Sequence, residues 1–349
     1  MLVMAGGTGG HIFPALAVAE ELKARGWRVV WLGAKTGMEA QIVPQHGYEV
    51  EWIRFGGLRG KGLVRLSLLP LSLLVAFWQS ARIILRVRPD VVLGMGGYIA
   101  FPGGMMAVLL RRPLVLHEQN AIAGLANRVL AEIADRVLVA FPNALRKSVW
   151  IGNPVRAAIA SIAPPEKRFA GRTGRLHVLV VGGSLGARVL NETLPQALAL
   201  MPVDARPAVT HQSGRQHLAA LEESYRGISV EARLVPFIEN MADEYARADL
   251  VVCRAGATTI AELAAAGVAS VLIPFPHAVD DHQTGNAKFL SDAGAGVLLP
   301  QRELTARRLA DLLLGFTRAK LLEMARKARA LGKPDAARDV ADVCVEAAA

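Results

Sequence analysis

The residue types that could do chemistry in this chain fall in a few short stretches. Gly6-Gly-Thr-Gly-Gly-His11 follows the apolar run Met1 to Ala5 and precedes a helical pattern in which Pro14 is read as a first-turn residue. Strand, glycine loop and helix make an anion site, because glycines let the backbone approach a ligand and a helix N-terminus presents free amides. His11 is the only titratable side chain in that loop, and an imidazole titrating near ~6.5 suits a general base. His117-Glu-Gln-Asn120 closes a later strand pattern, with Glu118 as a second candidate base. The opening theme returns at Gly182-Gly-Ser-Leu-Gly-Ala187, which reads as a phosphate cradle. Glu262, in a helix otherwise built from Ala, Thr, Ile and Leu, reads either as a surface acid or, following Arg254-Ala-Gly-Ala-Thr258, as an acceptor for sugar hydroxyls at the rim.

Competing chemistries fit less well. Gly7-Thr-Gly9 supplies two glycines of a dinucleotide fingerprint, but Ile12 stands where the third belongs. The second strand ends near Lys35 rather than at an acid for an adenosine ribose, which argues against NAD. Gly56-Gly-Leu-Arg-Gly-Lys61 is one residue short of a P-loop and has Gly62 where a magnesium-binding Ser or Thr belongs. His277, Asp280, Asp281 and His282 have the donor types for a metal, but loop residues of this kind are more often solvated or substrate-facing.

The elements that must position these groups alternate strand and helix from end to end, which predicts α/β architecture with parallel sheets. Trp27–Gly33, Asp90–Gly94 and Pro113–His117 read as strands of a first domain, and Leu176–Val181, Leu250–Cys253 and Ser270–Pro274 as strands of a second. Two doubly wound domains are expected, 1–152 and 153–349, joined at about 151 to 158. The helices after Arg307 are expected to pack on one or both of them. A length of 349 residues allows two cores. The net charge of +10 suits an anionic partner, but 5% aromatics and no recognisable motif argue against nucleic acid. Two cysteines, Cys253 and Cys344, fit a reducing compartment, and the N-terminus shows no signal-peptide pattern, so a cytoplasmic location is expected.

One segment departs from the pattern. Trp52 to Pro89 has no acid but contains Arg54, Arg59, Lys61, Arg65, Arg82, Arg86 and Arg88. Its charge-free run, Leu66 to Ala81, is shorter than the ~20 residues of a spanning helix and contains Pro70. Leu71, Leu74, Phe77, Trp78 and Leu85 surround a thin polar stripe of Ser72, Gln79, Arg82 and Arg86. Apolar faces flanked by Arg65 and Arg82 predict contact with an anionic membrane surface.

Taken together, Gly6–His11, Gly94-Met-Gly-Gly-Tyr98, His117–Asn120, Gly152-Asn-Pro-Val-Arg156, Gly182–Ala187 and Pro274-Phe-Pro-His277 resemble the MurG family, bacterial transferases that make lipid II. The likeness covers essentially the whole chain. It implies a GT-B fold, two Rossmann-like domains facing across a cleft, and an inverting transfer of GlcNAc from UDP-GlcNAc to the 4-hydroxyl of MurNAc in lipid I. It implies that Thr8, Gly9, Gly10 and Asn120 approach the donor from the N-terminal side and that Arg156 and Ser184 lie near the nucleotide. It further matches Ile238 to a uracil contact, Ala257, Thr258, Thr259, Ile260, Ala261 and Glu262 to the diphosphate and ribose, and Gln283 to the GlcNAc. No protein-bound metal is expected, with free Mg²⁺ left open. The location implied is the cytoplasmic face of the inner membrane, held peripherally. Two other readings stand beside it: a UDP-GlcNAc 2-epimerase on the same fold, and a non-catalytic membrane-bound nucleotide sensor.

Overall fold

A computed structural model describes residues 1–56, 68–183 and 186–349, with only the backbone of Val279. Ser184, Arg65 and most of the Gly56–Lys61 motif lie outside the described residues. The chain divides into two units, Met1–Arg156 with Asp335–Ala349, and Ala157–Pro334. The division therefore falls four residues later than the expected 152/153. Of the closing helices, Ala306–Leu314 and Arg318–Leu331 stay in the second unit, while Ala336–Ala348 belongs to the first.

The first unit is built on a seven-stranded parallel sheet. Its strands are β1 (Leu2–Met4), β2 (Val30–Gly33), β3 (Glu49–Trp52), β4 (Val92–Gly94), β5 (Leu114–Glu118), β6 (Arg136–Val139) and β7 (Val149–Trp150), in the order β3-β2-β1-β4-β5-β6-β7. Parallel sheets are covered on both faces, so their strands read as continuous apolar runs. In β1, Val3 packs with Leu16, Leu22, Val340 and Cys344 on one face. Leu2 and Met4 pack with Ala76, Ile84 and Ala107 on the other. The second unit repeats the plan with β8 (His177–Val181), β9 (Ala208–Gln212), β10 (Ala232–Val235), β11 (Leu250–Cys253), β12 (Ser270–Leu272) and β13 (Gly296–Leu298), ordered β10-β9-β8-β11-β12-β13 and also all parallel. In each sheet the strand order reverses beside the first strand, at β1/β4 and at β8/β11, and ligands of such sheets bind outside the carboxyl ends at that point. The two glycine loops leave those positions.

Three local readings change. The helix after β1 is Gly9–Ala24, so Pro14 lies inside it rather than in its first turn, and Gly9, Gly10 and His11 open it. Thr8 is the cap: its carbonyl accepts from the amides of His11 at 3.1 Å and Ile12 at 3.2 Å. The basic apolar segment forms Leu69–Val87, a 19-residue helix that is long and apolar enough to cross a membrane by length and composition. The charge-free run underestimated it because the helix continues through Arg82 and Arg86. The polar stripe is an anchor: Gln79 Oε1 accepts from the Arg54 amide at 2.7 Å, and Arg86 pairs with Glu51 on β3. Ala76, Ser80, Ile83 and Ile84 face the unit's interior, leaving Leu71, Leu74, Trp78 and Leu85 exposed. Phe77 differs from the expected exposed face, because its ring packs 6.0 Å from that of Phe101.

Candidate functional site

The rim of the first unit is assembled by a buried carboxylate that the sequence did not mark. Glu39, fully buried, accepts from the amide of Gly7 at 3.0 Å and from that of Ala34 at 3.1 Å, tying the glycine loop to the end of β2. The loop then enters its helix with the amides of Gly9 and Gly10 lacking intrahelical partners. His11 follows, its Nδ1 2.9 Å from Oε1 of Gln119.

The strand end at β5 brings its motif to the same rim with divided duties. Glu118 is 2% exposed and both its oxygens are occupied. Oε1 accepts from the Asn120 backbone amide at 2.8 Å and from Asn120 Nδ2 at 3.3 Å; Oε2 accepts from Gly124 N at 3.3 Å and Asn127 Nδ2 at 2.8 Å. A carboxylate holding four donors ties down the loop from 118 to 127, and it offers a substrate proton no free oxygen. His117 is fully buried, with Nε2 2.8 Å from the Gly152 carbonyl and Nδ1 3.1 Å from Gln119 Nε2. Desolvation pushes its pKa down to about 4, outweighing the Gly152 hydrogen bond that favours the cation, while nearby His11 adds to the lowering. Arg156 is exposed at the last residue of this unit.

The second unit holds a cavity of about 600 Å³ at the end of β8, lined by Gly182, Gly183, Gly186, Arg254, Gly256, Thr259, Phe275, Gln283 and Gln301 among others. That volume is in the usual range for a small-molecule site. Gly186 has φ +77°, and a Cβ there would lie 1.9 Å from the Ser213 carbonyl oxygen, so the loop requires glycine at that position. Gln212, another residue missed in the sequence, locks the loop: its Nε2 donates to Gly183 O at 2.8 Å and its Oε1 accepts from Ile238 N at 3.0 Å. Ile238 is therefore placed beside the loop with its amide already engaged.

The helix Ala257–Ala266 begins at the cavity. Gly256 is its cap, and its carbonyl accepts from Ile260 N at 3.0 Å. Only the amides of Ala257, Thr258 and Thr259 thus lack intrahelical partners. Ile260 is core and Ala261 lies past the open turn. Thr258 Oγ1 is buried and has no hydrogen-bond partner among the described residues, an orphan donor at a helix N-terminus. Glu262 lies deeper in the helix, 6% exposed, with Oε2 accepting from Tyr245 OH at 3.1 Å. Gln283 Oε1 accepts from Phe275 N at 2.9 Å and Ala255 N at 3.3 Å, which leaves its NH₂ group to donate. Arg254 reaches Gln301 Oε1 at 2.8 Å and the carbonyls of Ile273 and Pro274, with its guanidinium 5.4 Å from the Phe275 ring centre. Among the described residues no group of three or more His, Cys, Asp or Glu converges as a metal would require.

The structure thus brings Thr8, Gly9, Gly10, His11, Glu118 and Asn120 to one rim, and Ile238, Ala257–Thr259 and Gln283 to the other. Known proteins divide along the same lines. Residues 1–139 match the glycosyltransferase family 28 N-terminal domain and residues 177–340 its C-terminal domain. The chain is 66% identical over 349 residues to a protein of Aromatoleum aromaticum, covering 100% of this chain and 98% of that one. A protein of Ralstonia nicotianae is 62% identical over 351 residues, covering 100% and 96%. Both are named UDP-N-acetylglucosamine--N-acetylmuramyl-(pentapeptide) pyrophosphoryl-undecaprenol N-acetylglucosamine transferase. Among solved structures, Acinetobacter baumannii MurG superposes with a TM-score of 0.88 at 41% identity, covering 99% of each chain.

Proposed function

The chain belongs to glycosyltransferase family 28, and from that premise we propose that it moves GlcNAc from UDP-GlcNAc to the 4-hydroxyl of MurNAc in lipid I, forming lipid II. It is a glycosyltransferase of GT-B fold, with two Rossmann-like domains. The observation that carries the reading is full-length identity of 66% to a transferase named for this donor and acceptor. The cavity at the end of β8, of small-molecule size, supports this reading.

In this reading the diphosphate lies against the described glycines of the loop after β8 and against the open amides of Ala257–Thr259; Ser184, matched to the nucleotide by resemblance, lies outside the described residues. Arg156 adds positive charge. Helix N-termini aimed at the departing UDP stabilise charge that develops in the transition state, so no protein-bound metal is needed. Ile238 contacts the uracil through its backbone, Glu262 takes ribose hydroxyls, and the NH₂ of Gln283 donates to the sugar. Thr8, Gly9, Gly10 and Asn120 serve the first unit's side of the exchange. Inversion is a single displacement: the acceptor oxygen attacks the anomeric carbon, its proton passes to His11, and the bond to the diphosphate oxygen breaks. His11 is preferred to Glu118 because the Glu118 oxygens are filled by Asn120, Gly124 and Asn127, whereas His11 Nε2 makes no hydrogen bond among the described residues.

The exposed face of Leu69–Val87, with Arg82 5.2 Å from the Trp78 ring centre, supports docking at an anionic membrane surface, on the cytoplasmic face where a lipid-borne pyrophosphate would be presented. Incubation with UDP-GlcNAc, with and without a lipid I analogue, tests the whole reading. UDP release that requires the acceptor is expected. Epimer formation without acceptor would favour the epimerase, and binding without turnover would favour the sensor.

A further inference from the structure

His117 and Gln119 are among the most buried polar residues of the first unit, at 0% and 1% exposure, and the proposed transfer does not use either directly. Their hydrogen bonds form a chain with fixed polarity. The Gly152 carbonyl, 2.8 Å from His117 Nε2, can only accept, so Nε2 carries the proton. Burial holds the ring neutral, which leaves His117 Nδ1 with a lone pair. Gln119 presents one group to that lone pair at 3.1 Å and to the His117 carbonyl at 3.2 Å, two acceptors, so that group is its NH₂. The opposite oxygen, Oε1, faces His11 Nδ1 at 2.9 Å and can only accept. His11 Nδ1 therefore carries its ring's proton, and the lone pair is on Nε2. Gly96, at φ +87°, leaves room for this arrangement; a Cβ there would stand 2.8 Å from His11 Nδ1 and 3.2 Å from Gln119 Oε1.

We propose that Gly152 O, His117 and Gln119 form a relay that fixes the tautomer of His11, with Gln119 as a positioning residue that keeps Nε2 ready to take the acceptor's proton. The catalytic half of this rests on the reading of His11 as the base. Which nitrogen of a histidine is protonated is set by the bond its other nitrogen makes. No other donor or acceptor among the described residues sets it for His11.

The test combines nitrogen-15 NMR of histidine-labelled protein with kinetics of Gln119→Met, which keeps the side-chain length and removes both polar ends. In the unmodified protein, neutral His11 is expected to be protonated at Nδ1, a measurement that needs no variant. In Gln119→Met the Nδ1–H preference should be lost and kcat should fall roughly 10- to 100-fold, less than the roughly 10²–10⁴ that a positioned base supplies, because the base itself remains. The KM for UDP-GlcNAc should stay within about twofold, since the donor cavity contains none of these residues. Protonation at Nε2 in the unmodified protein, or an unchanged tautomer in the variant, would overturn the relay. A changed tautomer with undiminished turnover would overturn the base assignment and leave the relay standing.

Discussion

The two units place a buried histidine on the strand ends beside their glycine loops and use it oppositely. In the second unit, His211 near the end of β9 is fully buried. Its Nε2 lies 3.1 Å from Asn191 Oδ1, its Nδ1 3.1 Å from Tyr225 OH, and Asn191 Nδ2 donates to Ser213 O at 3.0 Å. The Ser213 carbonyl fixes the Asn191 amide, the Asn191 oxygen takes the His211 proton, and Tyr225 donates to the remaining nitrogen. Every polar atom in that chain ends on another inside the core. In the first unit the corresponding chain starts at Gly152 O and runs through His117 and Gln119 to end on His11, whose second nitrogen has no partner among the described residues. A closed network stiffens a cradle; an open one delivers a lone pair. In the proposed function, the same supersecondary plan holds a leaving group in one domain and supplies a base in the other.

The sharpest way to break this contrast is His11→Ala. Turnover should fall by roughly 10²–10⁴, the range for loss of a positioned base. UDP-GlcNAc affinity, measured by calorimetry, should be nearly unchanged; near-normal turnover would remove His11 from the mechanism.

Acidification probes both histidines. Desolvation lowers His117 to about 4 and His211 to about 3. Both stay neutral in the folded state below the ~6.5 at which they protonate once unfolded, so their stabilising contribution is full above about 6.5 and declines as pH falls toward the folded values. The loss is about 3 kcal/mol for His117 by pH 4, and somewhat more for His211 by pH 3. Urea unfolding between pH 7 and 5 should show proton uptake on unfolding that rises as pH falls; stability independent of pH across that range would contradict the burial argument.

Glycine substitutions sharpen the comparison at smaller cost. Gly186→Ala forces a Cβ onto Ser213 O and should weaken UDP-GlcNAc binding tenfold or more, strain of this kind being worth about 1–3 kcal/mol. Gly96→Ala presses on His11 and Gln119 instead, and should lower kcat while sparing donor affinity. Equal effects on donor binding would mean the two rims are not functionally divided. The smallest effect is expected at the membrane: Leu74→Glu with Trp78→Glu should weaken binding to anionic vesicles severalfold and leave UDP-GlcNAc affinity intact. Vesicle binding that survives both changes would dissociate that helix from docking.

Much of this was legible in the sequence because parallel strands buried on both faces are written as uninterrupted apolar runs, as at Leu250–Cys253, which is strand β11 as expected. Glycine loops announce themselves similarly. Helix starts were less legible: glycines are poor helix formers, so Gly9 and Gly10 read as loop until Thr8 is seen capping them. The supporting residues were least legible. Glu39 and Gln212 act through partners 5 to 32 positions away in sequence, and Gln119 joins His117, two away, to His11, 108 away; nothing in local spacing marks these pairings. Glu118 shows the converse, a residue with the right chemical type whose oxygens the fold consumes.

The last helix, Ala336–Ala348, supplies Val340, Ala341 and Cys344 to the core of the first unit, although Ala157–Pro334 comes between. On the ribosome, chains fold domain by domain as they emerge. Here the second unit is contiguous and can complete its sheet as soon as Pro334 is synthesised, whereas the first must wait for Ala336–Ala348, with the helix Gly9–Ala24 uncovered until then. The domain made first is finished last, so the rim that carries His11 matures only after the cavity at the end of β8 already exists.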